Sequence, residues 1–569
     1  MNNNVFLAVI LSFAILMGFQ YLYVKPHMEA AHSRYLAQQI DKAQNSAAPP
    51  VAQVLQDRAA LIKETPRVAI VTPQLSGSVN LKGARIDDLT LVKYRETADP
   101  ASPAITLLSP SGSALPHPAY YAEFSWLADD SKVPVPTADT VWTSGGGDLT
   151  PSHPVVLTWD NGQGLVFERT ISVDDQAMFT ISDRVVNKSA APVKLYPFGI
   201  VARQGAPKIS TSVVMEGPLG VIGGTLEEYK YAKLRDIGKA ADDTTGGWMG
   251  ITDKYWLVAM IPPQDEKLTA EFAYHRGDDK NPDMGFYQSD FRGAPVTVAA
   301  GASLSHTDHL FAGAKRVRLL DHYADEYNIP HFDKAIDFGW FYFLTKPFLF
   351  VLEMLANAVG SVGLAILLFT VILKLLTLPL SLKSYHSMSR MKALQPEMKA
   401  IQERWPDDKM RQSQEMMELY KREKVSPMSG CVPTLIQIPI FFALYKVLYV
   451  NIEMRQAPFY GWIHDMSVAD PTSVMNLFGL LPFAAPSFLH IGAWPLLMGC
   501  SMFMQQKLSP QPPDKSQARI FMVMPIIFTY MLARMPAGLV IYWTWSNLIG
   551  IAQQWFIMSR DLARRNVKR

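Results

Sequence analysis

Cysteine is almost absent from the chain. Cys431 and Cys500 are the only two in 569 residues, and both lie in apolar runs. The long polar region between the first and second apolar runs has none, which excludes a disulfide framework there. Both thiols read as small apolar packing residues. A strong charge of one sign is also missing: the formal net charge is +2, so no global basic field points to nucleic acid. No H-E-x-x-H and no paired Asp occur within the apolar runs, which speaks against an intramembrane protease. No internal repeat of the kind transporters use is visible either.

Apolar surface, by contrast, is plentiful and gathered in blocks, with 49% of residues hydrophobic. VFLAVILSFAILMGFQYLYV, Val5–Val24, is long enough to cross a bilayer. The preceding MNNN (1–4) lacks a basic n-region and no A-x-A-like site follows closely, so the run reads as an uncleaved anchor. Residues 25–67 are rich in Ala, Gln and Pro and read as a tether that cannot bury a core.

From Val68 to about residue 325 the texture changes to short alternating segments. VVLTW (Val155–Trp159), DNGQG and LVFERTISV (Leu165–Val173) predict a hairpin turned on Asn-Gly. Met178–Val186, Lys194–Ala202, Tyr255–Pro263 and Pro295–Gly313 continue the pattern. Many strands with few helices predict a large antiparallel sandwich.

Residues 326–357 read as a linker and an amphipathic helix at the membrane surface, because Lys346, Pro347 and Glu353 interrupt its apolar run. Five further spans are expected at 358–380, 428–450, 487–506, 519–535 and 536–558. Between them lie a charged segment (381–427), loops at 451–486 and 507–518, and a basic tail at 559–569. The charged segment reads as two antiparallel helices broken at Trp405–Asp408. Its methionines (Met388, Met391, Met398, Met410, Met416, Met417) suit either a surface that accepts varied apolar partners or ordinary packing between the two helices. Lys and Arg concentrate in 381–427, 507–518 and the tail, which places these in the cytoplasm. Counting back puts the β domain outside and the N-terminus inside; Lys25 weakly opposes this and is outvoted.

Acidic residues are missing from spans two to six, yet Lys374 sits in LFTVILKLLTLPL. A charge at that depth costs ~2.5–3.5 kcal/mol on insertion scales. Snorkelling does not explain it: Lys383 is nine residues on, ~13 Å at 1.5 Å per residue. Thr370, Lys374, Thr377 and Ser381 fall on one helical stripe. Thr434 and Gln437 in the third span, Gln505 and Gln506 in the fourth, and Trp543, Asn547 and Gln554 in the sixth add polar faces, the last flanked by Tyr542, Ser546 and Gln553. Such stripes predict a wet cavity or a polar partner. The lack of intramembrane Asp or Glu weakens an ion-relay reading.

Three stretches resemble one family closely: QEMMELYKREKVSPMSGCVPTLIQIPIFFALYKVL, RQAPFYGWIHDMSVADP and PAGLVIYWTWSNLIGIAQQ. The family is that of the YidC/Oxa/Alb membrane protein insertases, of the Gram-negative YidC type. The resemblance implies a multidomain inner-membrane protein: six transmembrane helices, an anchor plus a five-helix core, with a large periplasmic β-supersandwich similar to galactose mutarotase and a cytoplasmic helical hairpin. It implies no covalent chemistry and no cofactor. The five spans would form a hydrophilic groove open to cytoplasm and lipid, whose positive residue attracts the polar part of an incoming chain.

Carried over position by position, Lys374 matches the groove charge, Thr370 the polar residue one turn before it, and Tyr542 and Trp543 the aromatic pair. The chain departs from its relatives in having lysine where arginine is usual and tryptophan where the second aromatic is often tyrosine. Implied partners are nascent membrane proteins, the Sec translocon, membrane lipids, and a ribosome or targeting receptor at the hairpin and tail. The rival reading is a membrane-anchored envelope protein that binds or acts on carbohydrate. Its candidates in the β domain, Trp142, Trp159, Trp248, Trp256, His153 and His275, show no spacing that singles out a pair.

Overall fold

In this computed structural model residues 55–566 are described, apart from 131, 208–213, 278–283, 424, 426–431, 482–485, 487–489 and 510–514. The expected anchor Val5–Val24, residues 25–54 of the tether, and Cys431 lie outside the described residues.

Period-two alternation builds two antiparallel sheets packed face to face. The first has ten strands. Its spatial order is Arg67–Val71, Leu75–Asn80, Arg85–Arg95, Tyr120–Ala128, Val193–Gln204, Phe286–Gly293, Lys267–His275 and Lys239–Thr245. Ala104–Leu108 and Val296–Val298 pair off this path. The second has nine, centred on Trp256–Ile261, Ser303–Ala314, Met178–Asn187 and Leu165–Val173. Inward residues such as Phe124, Phe167, Phe179 and Leu310 form one core. Arg169 stitches the sheets: it holds Asp183 through two bonds of 2.7 Å and donates to the Phe124 carbonyl at 2.8 Å.

The hairpin at Asn161 forms, with Asp160 paired to Val166. Positive φ falls on Gly162 and Gly164, while Asn161 acts through its side chain, accepting from Gln163 N (2.8 Å) and Leu165 N (2.9 Å). Pro295–Gly313 is two strands rather than one. The chain turns at Gly301 (φ 72°) and passes from the ten-stranded sheet to the nine-stranded one.

The last part of the expected tether is ordered. Helix α1 (Arg58–Glu64) is capped by Asp57 and held to the sheet by an Arg58–Asp88 ion pair. Helix α2 (Tyr231–Ile237) lies within the domain and α3 (Val317–Glu326) ends it.

The helical half comprises α4 (Tyr342–Val359), α5 (Val362–Leu376), α6 (Leu378–Ala393), α7 (Gln395–Arg404), α8 (Lys409–Arg422), α9 (Val432–Val450), α10 (Ala493–Leu508), α11 (Lys515–Leu532) and α12 (Ala537–Asn566). One described helix, α4, is long and apolar enough to cross a membrane; the bent pair α5–α6 makes a second if counted as one span.

The sequence placed α4 at the membrane surface because of its charges. Those charges pair with the end of the β domain. Lys346 bonds Asp321 (2.8 Å) and Asp333 (2.7 Å), and Glu353 accepts from Arg318 (3.0 Å). The expected straight span 358–380 bends by 65° at Thr377. Pro379, in the first turn of α6, has no N–H to continue the ladder and its ring collides with the preceding turn. At the other end, α12 runs on to Asn566 through most of the expected tail.

The hairpin of α7 and α8 turns at Trp405–Asp408, where Asp408 caps α8 through Arg411 N at 2.9 Å. Met391, Met398 and Met416 are buried in its own core and Met388 against Tyr385 and Ile557. Ordinary packing therefore accounts for four of the six methionines, leaving Met410 and Met417 exposed.

A single core runs from Trp248 and Phe311 of the nine-stranded sheet through Phe332 and Leu349 to Phe369, Leu444 and Tyr542. The Lys446–Asp337 ion pair (2.7 Å) and Lys254, 4.1 Å above the Tyr449 ring, fasten α9 to the same end of the β domain.

Candidate functional site

Helices α5, α9, α10 and α12 meet around a polar seam inside apolar surroundings. Lys374, in the last turn of α5, is half-buried and reaches towards Gly550 of α12; a Cβ placed on that glycine would lie 3.9 Å from its Nζ. The same point lies 3.2 Å from Gln505 Nε2 of α10. Among the described residues no carboxylate pairs with Lys374.

One side of the seam is closed by Gln437 of α9, whose Nε2 donates to the Tyr542 hydroxyl at 2.9 Å. A second cross-link joins Asn547 Nδ2 to Ser501 Oγ at 3.0 Å. Trp543 packs between Phe441 (centroids 4.5 Å apart) and Phe528 (5.6 Å).

The seam thus brings together Lys374 and Gln505 at Gly550, and Gln437 with Tyr542. Three hydroxyls of the expected stripe are used locally. Thr370 Oγ1 is buried and donates to the Ile366 carbonyl (2.7 Å), Thr377 Oγ1 to Leu373 (2.9 Å), and Ser381 Oγ to Thr377 (3.1 Å). The bend at Thr377 puts Ser381 on α6, so the stripe is not one straight face. Thr434 lies in the first turn of α9, and its side chain is outside what the structure describes.

Ser501 was not picked out from sequence, although it stands one turn before Gln505 on α10 and that i, i+4 spacing was available. Gln506 has a different task from its neighbour. It donates to the Phe521 carbonyl of α11, the group that Pro525 leaves without its helical donor.

The residues weighed for sugar recognition do not converge. Trp142 lies over Arg169 (5.2 Å), Trp159 against Phe167, Trp248 against Phe332 and Trp256 against Tyr94. His153 is exposed beside the Asp148 carbonyl, and His275 ends its strand.

Residues 67–351 match the model of the YidC periplasmic domain, and residues 354–564 that of the 60Kd inner membrane protein. The chain belongs to the YidC family. Its similarity to the membrane protein insertase YidC of Methylobacterium radiotolerans is 49% identity over 98% of this chain and 95% of that one. The YidC of Bradyrhizobium diazoefficiens is 48% identical over 98% and 96%, and that of Rhizobium meliloti 48% over 98% and 96%. A crystal structure of an active YidC insertase with its first transmembrane domain resolved aligns over 89% of this chain and 94% of that one, at TM-score 0.35 and 17% identity. Within the YidC family frame the β-sandwich is the periplasmic domain, and the seam lies wholly in the inner-membrane part.

Proposed function

We propose that the chain is a membrane protein insertase and chaperone, working through a hydrophilic groove built on Lys374, Gln505, Gln437, Tyr542, Trp543 and Asn547, with Thr370, Thr377, Ser381 and Thr434 beside them. The reading is supported by its nearly full-length similarity to YidC insertases. The observation that carries it is an ammonium group at the meeting of three apolar helices, near Gly550 and Gln505, with no carboxylate bound to it among the described residues. A half-buried charge among apolar helices without a counter-ion is costly, so a chain that keeps one there has a use for it. Water and the acidic or polar part of a client supply the missing partners.

In this reading six helices span the inner membrane, with the N-terminus, hairpin and tail in the cytoplasm and the β domain in the periplasm. The groove lowers the cost of bringing polar peptide into lipid. Burial of the client's apolar segment supplies the driving force. Clients are nascent membrane proteins, delivered alone or with the Sec translocon. The hairpin and basic tail meet the ribosome or a targeting receptor, and the exposed apolar face of α11 (Ile520, Val523, Ile527) meets lipid and client.

Depletion of the native protein with complementation by variants tests the charge. Lys374→Arg is expected to retain insertion and Lys374→Ala to impair it. Full activity of the alanine form would remove Lys374 from the mechanism.

A further inference from the structure

The loop between α9 and α10 has two unlike halves. The first is fastened to the β domain: Arg455 donates to the carbonyls of Arg95 and Glu96, and Gln456 Nε2 donates to that of Arg95 at 2.9 Å. The second carries no charge. No Asp, Glu, Lys or Arg occurs from Pro471 to Gln506. Met475, Leu477, Phe478, Leu480 and Leu481 are all exposed there, Leu480 at 83%. Surfaces that face water scatter such residues singly, whereas these five are crowded into one turn of chain.

The backbone of this half is satisfied from within. Val474 N donates to the Ile491 carbonyl (2.9 Å), Leu477 N to that of Val474 (3.0 Å), Phe478 N to that of Ser473 (2.7 Å) and Leu481 N to that of Asn476 (3.0 Å). Met475 N donates to Ser473 Oγ at 3.3 Å. At the edge of a bilayer, irregular backbone is tolerated where the protein itself pairs its polar groups. Leu477 and Phe478 also hold positive φ, 50° and 59°, which is rare for bulky residues and costs ~1–3 kcal/mol each. The turn is therefore strained while it holds apolar side chains outward.

The depth of the helix that follows gives those side chains a solvent. Helix α10 has 16 residues, ~24 Å at 1.5 Å per residue, against a hydrocarbon core ~30 Å thick. Lys507 lies in its last turn, so the missing ~6 Å falls on the side of the loop. Tyr460 and Trp462, exposed earlier in the same loop, are residue types that settle at headgroup level.

We propose that residues 474–481 are a lipid-binding edge. Met475, Leu477, Phe478, Leu480 and Leu481 enter the acyl chains of the leaflet next to the β domain, while Arg455 and Gln456 hold that domain to the other half of the loop. The loop so fixes the height of the β domain over the bilayer. The proposal rests on the reading of the helical half as membrane-spanning and adds an interaction surface to it.

The test uses the full chain in phosphatidylcholine–phosphatidylglycerol vesicles, with Cys431→Ser and Cys500→Ser removing both native thiols. A nitroxide is attached at Phe478→Cys or, in a second variant, at Leu480→Cys, and its collisions with oxygen and with a neutral nickel chelate are compared. Ile526→Cys on α11 serves as the lipid reference and Met410→Cys on the hairpin as the water reference, both sites being well exposed. At Phe478 and Leu480 the oxygen-to-nickel ratio is expected to be about tenfold above that at Met410, because exclusion of a polar complex from hydrocarbon by ~1.4 kcal/mol is a factor of ten. A ratio equal to that at Met410 places the loop in water and overturns the proposal. Access by neither reagent means that protein, such as a second copy of this chain, covers the edge, and overturns it as well. A water-like ratio at Ile526 overturns the membrane-spanning reading itself.

Discussion

The Gln437 amide of α9 donates a 2.9 Å hydrogen bond to the Tyr542 hydroxyl of α12, and Tyr542 is only 2% exposed. The bond joins two apolar helices just beside Trp543 and Phe441. Tyr542→Phe keeps the ring and removes the acceptor, leaving the glutamine amide unpaired. Interhelical hydrogen bonds of this kind average ~0.6 kcal/mol in membrane proteins, with a maximum near ~1.7, so a loss of about 1 kcal/mol is expected. A double-mutant cycle with Gln437→Leu, read by unfolding in detergent, checks it. Strictly additive effects of the two substitutions would show that the pair is not coupled.

Asp470 is a stronger case, because one carboxylate serves several donors. Its Oδ1 accepts from Trp462 Nε1 (3.1 Å), Thr472 N (2.9 Å) and Thr472 Oγ1 (2.7 Å), and its Oδ2 accepts from Trp494 N (2.9 Å). Trp494 stands in the first turn of α10, whose own N-cap, Gly492, has no side chain to offer. Thr472 Oγ1 takes the neighbouring Ala493 N at 3.0 Å. The carbonyls of Val468 and Met466 take Ala537 N and Gly538 N at the start of α12. The loop thus caps two helices from outside. Asp470→Ala is expected to cost about 2–4 kcal/mol, since several donors lose their acceptor in a buried place. Thermal unfolding of the full chain measures this, with Asp470→Asn intermediate because one oxygen survives. A melting temperature unchanged in the alanine form would refute the capping role.

Much of the β domain was legible because strand alternation is a local pattern: Leu165–Val173 and Met178–Asn187 follow from their own residues. The helix positions followed from apolar runs in the same way. What escaped depends on partners far away in the chain. Lys346 and Glu353 look like surface charges until Asp321, Asp333 and Arg318 arrive to neutralise them. Arg58 looks like part of a tether until Asp88 holds it. The bend at Thr377 was the exception, since Pro379 announced it locally. In the seam, Lys374 and the polar faces stood out against apolar neighbours. Gly550 did not, because its meaning lies in what α5 and α10 place opposite it.

Asp290 sets the pH dependence expected of the β domain. It lies on the outer face of the ten-stranded sheet, directly opposite Glu271 on the next strand. Glu271 is itself bonded to Lys239 at 2.5 Å. Burial, and then the neighbouring Glu271 charge, push the Asp290 carboxyl up to about 7, against a partial pull downward from Gln288 and Lys239. In the unfolded chain the group titrates near ~3.9. Between these two values the folded state holds the proton more tightly than the unfolded one. Stability contributed by this site therefore falls as pH rises through that window, and the full penalty is present above about 7. Asn is neutral at every pH and resembles the protonated acid in shape. Asp290→Asn is thus expected to raise the melting temperature of the β-domain transition at pH ~8 and to leave it near wild type at pH ~4. Taking the difference between variant and wild type at each pH removes the contributions of all other groups that titrate alike in both. Glu271→Gln provides a second arm: without the opposing charge the Asp290 carboxyl drops, so the pH-dependent loss is smaller and is complete at lower pH. A difference between Asp290→Asn and wild type that stays constant across this range would mean that Asp290 titrates alike in the folded and unfolded chains, and that its pairing with Glu271 is relieved by solvent.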